Sequence, residues 1–366
     1  MAGELAIVIA IIAVCLLRRY RSEARKNASI NHISKENNLN VLENIIPVDS
    51  SFDWQTATPL KIRPFVKKRN FNPSMGIKSL SATPEEWLLI EDTYLLTVNQ
   101  RKSELARNAE NVVFSNDDPK TKASVAETYS IIISFLVSRY PQYFVENIEH
   151  KLVTNKITNS TFPRLPDNSS SLELLKILTE NIEEDLLILI KNNENDTEEE
   201  YIMRASINGA PAGFDPKFNH NKPVSSIHSP VPQYKSRLQL PMHKFFNNLQ
   251  PKNLWVRYNW SIQINSQRYN LESLHGREGE KIVPLKFHQM DFNQTFLRCE
   301  RQIFTKLPKS RANLMTIRTY LTPINQIKQE GLAEDLVNGI DSLPEDLAFY
   351  KRRSEWGEAV KQYLRQ

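Results

Sequence analysis

Alternating apolar and polar positions mark the clearest strand of the chain, between residues 254 and 264. One face of this strand would be apolar: Leu254, Val256, Tyr258, Trp260, Ile262 and Ile264. The other face would be polar: Arg257, Asn259, Ser261 and Gln263. Because successive strand residues point to opposite faces of a sheet, the pattern predicts one face in the core. The polar face needs water or a polar ligand.

Four further runs predict the rest of a sheet. Residues 185–191 and 201–207 are rich in β-favouring residues and flank an acidic loop, which predicts a hairpin. Residues 295–305 and 314–321 predict two more strands, joined by a turn at 307–310. Since no long helix separates these last strands, the sheet should be mostly antiparallel.

Helical spacing of apolar residues dominates the first third of the chain. Thr83-Pro-Glu-Glu86 is a capping box with proline at the first helical position, and it predicts a helix over residues 84–107. Ser124-Val-Ala-Glu127 predicts the start of a second helix, which Pro141 ends. The first third of the chain is therefore predicted to be helical.

Shorter helices are predicted further along the chain. A polar linker over residues 154–171 precedes a short helix over 172–180. Apolar residues between Pro344 and Leu364 predict a helix at the C-terminus. The expected fold class is therefore α+β, a mostly antiparallel sheet with flanking helices.

The N-terminus carries an unbroken apolar run, LAIVIAIIAVCLL, from Leu5 to Leu17. Positive charge follows this run and does not precede it, unlike in a secretory signal peptide. We expect a transmembrane anchor with a basic flank over residues 1–26 and a tether over 27–60. One domain, over residues 61–366, would face the cytosol from the endoplasmic reticulum or the outer mitochondrial membrane. The alternative is a buried core helix, because the run is shorter than about 20 residues.

Composition narrows the class of protein. The 366 residues include 47 basic and 42 acidic side chains, and much of the excess lies in the first 26 residues, so nucleic acid is not an expected partner. Two cysteines cannot build a disulfide framework or a cysteine-based metal cluster. The chain also lacks a Gly-x-Ser-x-Gly elbow, a phosphate loop, a dinucleotide fingerprint and a His-Glu-x-x-His motif.

Rarer combinations of residues are the candidates for a site. Ile227-His-Ser-Pro-Val-Pro232 places the His228 imidazole beside two prolines that stiffen the backbone, which suits a ligand held in one orientation. The alternative for His228 is a hydrogen-bonded structural histidine.

A cluster of arginines follows on the predicted strands. Arg298, Arg301 and Arg318 could pair bidentately with carboxylates, including haem propionates. Alternation puts Arg298 and Glu300 on one strand face and Arg301 with Cys299 on the other, so both sets cannot line one pocket. The alternative is a structural ion-pair network, with Cys299 a core thiol.

Several short motifs recur together in one known family. In chain order they are Arg63-Pro-Phe65, Met75-Gly76, Trp87 with Asp92 and Tyr94, Arg139-Tyr-Pro141, Glu184-Asp185, Ile227-His-Ser-Pro-Val-Pro232, Arg257-Tyr-Asn-Trp260, Arg298-Cys-Glu-Arg-Gln302, Leu307-Pro308 and Ile317-Arg-Thr-Tyr-Leu-Thr-Pro323. In this order, over residues 61–364, the chain resembles the haem-dependent oxidative N-demethylase alpha-subunit-like proteins. Phe214 and Leu240-Pro241 depart from the family pattern, where tryptophan and serine are expected.

The resemblance implies a PAS-like haem b domain that uses O₂ to oxidise an N-methyl carbon of a small methylated amine. The carbinolamine product would collapse to formaldehyde and a demethylated amine. On residue chemistry, His228 would be the axial iron ligand. The propionate candidates are Arg298, Arg301 and Arg318. The substrate-orienting candidates are Glu300, Asn259 and Glu184.

The sequence has no flavin or iron–sulfur motif, so electrons would come from a separate flavin or iron–sulfur reductase. Three other functions stay open. One is a non-catalytic PAS-like protein that binds haem or a small ligand, and another is a membrane scaffold. The third is a lumenal glycoprotein enzyme with the opposite topology, which six Asn-x-Ser/Thr sequons would permit.

Overall fold

The computed structural model describes residues 40–66, 75–167, 169–272 and 274–366. The predicted anchor over residues 1–26 lies outside them, as does the tether as far as residue 39. Within the described ranges, no helix is both long enough and apolar enough to cross a bilayer. Residues 40–60 of the predicted tether pack against the body, with Leu42 and Ile45 buried in the core.

Two antiparallel sheets form the β part of the structure. The strands are β1 (Lys78–Ser79), β2 (Val113–Ser115), β3 (Phe144–Asn147), β4 (Leu152–Asn155), β5 (Ser160–Pro163), β6 (Asp185–Ile190), β7 (Ile202–Ile207), β8 (Trp255–Gln263), β9 (Phe296–Lys306) and β10 (Asn313–Pro323). The large sheet has the order β1-β8-β9-β10-β6-β7-β2, and the small one has β3-β4-β5. The predicted hairpin and the three later predicted strands are thus confirmed.

Helices flank the large sheet and confirm the α+β class. They are α1 (Tyr94–Val112), α2 (Pro119–Arg139), α3 (Ser171–Thr179), α4 (Val224–His228), α5 (Gln239–Asn248), α6 (Ile324–Gln329), α7 (Ala333–Asp341), α8 (Glu345–Tyr350) and α9 (Arg353–Arg365). Shorter turns are 3₁₀-helical at Trp54–Thr56, Pro84–Glu86, Pro216–Asn219, Phe287–Gln289 and Phe292–Gln294, and π-helical at Tyr234–Leu238. Arg352, in the left-handed conformation, separates the two helices where one C-terminal helix was predicted.

The two faces of the large sheet carry different side chains. On one face, apolar residues of β6, β8, β9 and β10 pack against α1 and α2, and near the other end against α7 and α9. The other face packs against α4 and α5 at the end that carries Trp255 and Phe304. Because Arg257 pairs with Gln302 and Asn259 with Glu300 in the antiparallel register, polar side chains line up on the remainder of this face.

The predicted helix over residues 84–107 is wrong in its first part. Only Pro84–Glu86 forms a 3₁₀ turn, and the α-helix begins at Tyr94. The carbonyls of Glu86 and Trp87 accept hydrogen bonds from Arg301, and the Leu89 carbonyl accepts one from Arg318. These carbonyls are therefore bound by the sheet instead of by the next helical turn.

Two other boundaries also differ from the prediction. The second helix begins at Pro119, because the Asp118 side chain caps it by accepting a hydrogen bond from the Thr121 N–H. Ser124 therefore lies inside the helix, although the predicted end near Pro141 is correct. The linker predicted over residues 154–171 contains β5 and the end of β4, whose side chains cover the core with Val153 and Phe162.

Candidate functional site

Seven polar side chains of β8 and β9 share one face of the sheet, and we call them the polar face: Arg257, Asn259, Ser261, Gln263, Arg298, Glu300 and Gln302. Such a row arises because β8 and β9 each alternate apolar and polar residues and pair in register. The structure thus brings together the sequence-predicted residues Asn259, Arg298 and Glu300.

The Glu300 carboxylate lies at the centre of the polar face. Its Oε2 accepts hydrogen bonds from the Gln302 Nε2 at 2.9 Å and from the Asn259 Nδ2 at 3.4 Å. The Arg298 Nε lies 3.8 Å from its Oε1. A carboxylate with these neighbours can accept a further hydrogen bond from a donor placed above the sheet, because its two oxygens offer about four acceptor positions.

Arg298 is one of the most deeply buried side chains in the molecule, at 1% exposure. It donates from Nη1 to the Gln263 Oε1 at 3.0 Å and from Nη2 to the Ala210 carbonyl at 2.6 Å. Burial lowers the pKa of Arg298, and the Glu300 carboxylate opposes that shift. Two neutral acceptors, the Gln263 amide and the Ala210 carbonyl, thus orient the guanidinium beside the Glu300 carboxylate.

Lys351, just after α8, extends into the same region. Its Nζ donates to the Asn259 Oδ1 at 3.3 Å and to the Trp260 carbonyl, and it lies 5.7 Å from the Trp260 ring centroid. Burial lowers the pKa of Lys351 to about 8, against the attraction of Glu300. No motif or periodicity pointed to Lys351, because it comes from a turn without a repeating pattern.

His228 ends the short helix α4, next to the polar face. Its Nδ1 lies 2.9 Å from the Val224 carbonyl, and its ring stacks on Tyr234 with centroids 5.5 Å apart. A carbonyl only accepts, so Nδ1 carries the proton and Nε2 carries the lone pair. Burial lowers the pKa of His228 and nearby Arg257 lowers it further, although the hydrogen bond to the Val224 carbonyl opposes this shift, so the neutral form of the imidazole is favoured.

The predicted site residues do not include Arg257, a charged residue of the polar face. Its Nε is buried and has no hydrogen-bond partner within the described residues. Burial lowers its pKa, and Glu300 is the charge that opposes this shift. The Gln302 Oε1 on the neighbouring strand is likewise buried without a partner among the described residues. A polar ligand above this part of the sheet could pair with these atoms, since a buried polar atom left unpaired costs about 1–3 kcal/mol.

A second histidine, His275, also lies near the polar face. Its ring centroid is 4.4 Å from that of Tyr350. Burial lowers its pKa to about 4; Lys351 lowers it too, whereas the backbone of Gly213 raises it by hydrogen bonding. No motif or periodicity surrounds His275, so the sequence does not predict it as a site residue.

The other predicted site residues lie on the opposite face of the sheet. Arg318 pairs with three carboxylates, those of Glu91 (2.6 Å), Glu184 (3.1 Å) and Glu183. Burial would lower the pKa of Arg318, but these carboxylates raise it well above its usual value. The Glu184 carboxyl has a raised pKa because of burial, although Arg318 opposes this shift.

Arg301 and Cys299 share that opposite face. Arg301 donates to the backbone carbonyls of Glu86 and Trp87. The Cys299 thiol is fully buried, lies 3.5 Å from the Ile62 carbonyl, and has its pKa raised by burial to about 12. The structure therefore separates Glu184, Arg301 and Arg318 from the polar face and gives each a protein partner.

The described residues form an α+β protein with a large antiparallel sheet, whose polar face carries basic side chains and lies next to the histidine that ends α4. Residues 76–361 match the model of the family described as haem-dependent oxidative N-demethylase, alpha subunit-like. This match covers well over half of the 366 residues, and the chain belongs to that family. The resemblance drawn from the sequence motifs is confirmed.

Proposed function

We propose that the protein is a haem-dependent oxidative N-demethylase in which haem b binds against the polar face with His228 as axial ligand. One observation carries this proposal: among the described residues, the Arg257 Nε is buried without a partner, and Arg257 lies close enough to His228 for its charge to lower the pKa of that imidazole. A propionate would give this guanidinium the partner it lacks, and a neutral imidazole held through Nδ1 is a common iron ligand.

A PAS-like fold is part of the proposal. Taken in chain order, the five central strands β6 to β10 lie across the sheet as second, first, fifth, fourth and third. Helices α4 and α5 follow the second of these strands and cover one end of the polar face. This order and the placement of His228 on α4 support a cofactor pocket between these helices and the sheet.

In the proposed site each residue has one role. Arg257 replaces Arg301 and Arg318 as propionate anchor, because both of those arginines are bound by protein groups on the other face. Glu300 would accept a hydrogen bond from the amine nitrogen, and Asn259 would orient that carboxylate. Arg298 would hold Glu300 in place from the side.

Bound haem would supply O₂ activation and the oxidation of the N-methyl carbon. The protein groups would bind the amine, orient its methyl group and exclude water. Electrons would come from a separate flavin or iron–sulfur reductase. The apolar run from Leu5 to Leu17 and its basic flank support a membrane anchor that keeps the domain near such a partner on the cytosolic side.

Absorption spectroscopy tests the cofactor. The full-length chain is supplied with haem, and its spectrum is recorded before and after reduction under carbon monoxide. We expect a stoichiometric Soret band that carbon monoxide shifts. His228→Ala should lose or change this band, whereas His288→Ala should keep it, because His288 is an exposed histidine on a short turn. An unchanged spectrum in His228→Ala would make the ligand assignment wrong.

Formaldehyde release tests the reaction. The haem protein is incubated with methylated amines, a reductant and O₂, and formaldehyde is measured. Formaldehyde release that is lost when Glu300 is replaced would support the proposed N-demethylase activity. Haem protein that releases none would instead be a haem-binding sensor, whose fold would be the same.

A further inference from the structure

A cavity of about 280 Å³ lies between the end of the loop that joins β6 to β7 and the helices α4 and α5. We call it the α4–α5 cavity, and its main lining residues are Glu200, Tyr201, Val224, Tyr234, Leu240 and Phe246. Within the described residues, its lining includes none of the seven residues of the polar face. Because a water molecule occupies about 30 Å³, this volume suits a ligand of only a few non-hydrogen atoms.

The Glu200 carboxylate is half-buried in the lining of the α4–α5 cavity. Its Oε2 accepts a hydrogen bond from the Ser225 backbone N–H at 2.9 Å. Within the described residues, this carboxylate has no other hydrogen bond and no ion pair. A carboxylate offers about four acceptor positions, so Glu200 can accept further N–H groups from a ligand.

Tyr234 places a hydroxyl near this carboxylate. The residue is only 5% exposed, and within the described residues its hydroxyl has no hydrogen-bond partner. Burial raises the pKa of Tyr234 to about 12, and the nearby charge of Glu200 contributes to this shift. Because the carboxylate and the hydroxyl both accept hydrogen bonds, together they favour a ligand with more than one N–H donor.

The other ionisable groups that line the cavity do not pair with Glu200. Lys235 is exposed, and in the described part of the chain it lies beyond ion-pair distance of the carboxylate. The His243 Nε2 lies 2.6 Å from the Thr197 carbonyl. Glu198 is exposed and adds a second carboxylate to the lining. A cationic ligand would therefore meet a carboxylate that has no protein cation as its partner.

Two buried lysines contact the Tyr201 ring without lining the cavity. The Nζ atoms of Lys191 and Lys306 lie 5.0 Å and 5.6 Å from the ring centroid. Lys191 donates to the Asp196 carbonyl at 2.7 Å, and the Lys306 Nζ lies 3.5 Å from the Glu194 Oε2. Since both ammonium groups have acceptors of their own, Glu200 remains available to a ligand.

The cavity also contacts both groups that hold the His228 ring. The Val224 carbonyl lies 2.9 Å from the His228 Nδ1, and the Tyr234 ring stacks on the imidazole with an interplanar angle of 20°. Val224 and Tyr234 both line the cavity. A ligand that displaces either residue would therefore also displace the imidazole.

We propose that the α4–α5 cavity binds a small alkylammonium ion, with Glu200 as its counter-charge, and that the bound ion acts on His228 through Tyr234. The alkyl group would contact the apolar side chains of Val224, Leu240 and Phe246. The site itself does not depend on the proposed function, whereas the effect on haem ligation rests on it. The concentration of an amine in solution would then alter the environment of the axial ligand.

Calorimetry on the full-length chain tests the site. Tert-butylammonium chloride is compared with tert-butanol, which has a similar shape and no charge. The ion carries no N-methyl group, and its carbon next to nitrogen bears no hydrogen, so the proposed demethylation cannot consume it. We expect the ion to bind at least about tenfold more tightly than the alcohol, because it forms charge-assisted hydrogen bonds. Equal affinities would overturn the inference.

Glutamate variants locate the bound ion. Glu200→Gln keeps an acceptor for the Ser225 N–H and should lose at least about tenfold in affinity for the ion. Glu199→Gln is the matched control, because Glu199 is also half-buried and also accepts from backbone N–H groups, those of Asn192 and Asn193, but does not line the cavity. Glu300→Gln should likewise keep the affinity, and a loss there would place the ion at the polar face instead.

The Soret band of the haem-loaded protein tests the effect on His228. Tert-butylammonium should shift the band with the midpoint found by calorimetry, and Glu200→Gln should abolish the shift. A shift that persists in Glu200→Gln would come from direct ligation of the iron by the amine and would contradict the coupling. Binding without a shift would overturn the coupling and leave the site.

Failure of the proposed function is distinguishable from failure of the site. A protein that takes up no haem would overturn the proposed function and the coupling, while calorimetry would still decide whether the cavity binds the ion. The comparison of the two ligands on the wild type decides this even where Glu200→Gln does not fold.

Discussion

Arg101 and Asp185 form a buried ion pair in which the Nη1 and Oδ1 atoms lie 2.6 Å apart. The same carboxylate accepts hydrogen bonds from the backbone N–H groups of Gly209 and Ala210. The Ala210 carbonyl in turn accepts one from Arg298. The pair therefore connects α1 to the loop that orients an arginine of the polar face.

Removing this carboxylate should be costly. Asp185→Ala leaves Arg101 buried without its counter-charge, so we expect the free energy of unfolding to fall by about 3–5 kcal/mol. Urea denaturation of the full-length chain measures the change. Asp117→Ala is the control, because Asp117 pairs with Lys122 while 95% exposed, and it should cost no more than about 1 kcal/mol. Equal losses in the two variants would contradict the expectation.

Arg257→Leu should separate ligand binding from stability. The buried Nε has no partner within the described residues, so its removal should leave the haem-free protein as stable as the wild type or more stable. Haem affinity should fall by about tenfold or more, because the variant loses one charge-assisted hydrogen bond to a propionate. Haem titration and urea denaturation measure the two effects. The exposed residue Arg107, changed to leucine, should alter neither quantity. Lower stability with unchanged haem affinity would show a purely structural role.

The acidic cluster around Arg318 should make stability depend on pH. Burial raises the folded-state pKa of Glu184 above its unfolded value of about 4.5, so the native state binds this proton more readily. This contribution to the free energy of unfolding is present below pH 4.5 and is lost as the pH rises through the raised pKa.

Glu184→Gln removes the titrating proton from this cluster. Its free energy of unfolding should therefore decline less than that of the wild type above pH 4.5. Denaturation at a series of pH values compares the two slopes, with the exposed residue Glu149 changed to glutamine as control. If the free energy of unfolding of Glu184→Gln depended on pH as steeply as that of the wild type, Glu184 would not be the source of the pH dependence.

Gly213 and Gly279 have similar φ angles, so replacing each with alanine distinguishes backbone strain from side-chain crowding. Gly213 has φ +75°, and a β-carbon there would lie 2.7 Å from the Leu274 Cβ and 2.9 Å from the His275 Nδ1. Gly279 has φ +76° with open space around it. Gly279→Ala should cost about 1 kcal/mol from backbone strain, and Gly213→Ala clearly more because His275 must move. Thermal and urea denaturation compare them; equal losses would show that the β-carbon is accommodated.

The sheet was predictable because its side chains alternate over long runs. The same alternation placed Arg298 with Glu300 and apart from Arg301, and the structure confirms both statements. The segment that follows Pro84 was not predictable, because its carbonyls are bound by arginines more than 200 residues away in sequence. Local pattern cannot reveal such partners.

The candidate site shows the same limit. Asn259 and Glu300 lie on strands, where periodicity assigns the face of each side chain. Lys351 and His275 come from turns, and only the tertiary structure brings them to the polar face. Arg257 was visible in the strand pattern, but its lack of a partner among the described residues required coordinates.

Arg301 binds the segment after Pro84 through backbone carbonyls, which every amino acid possesses. This contact therefore does not depend on the side chain of Glu86. Over evolutionary time Glu86 could be exchanged freely at this contact, whereas the arginine could not be replaced by a shorter residue without releasing two carbonyls at once. Among related sequences, position 86 should therefore vary more than position 301.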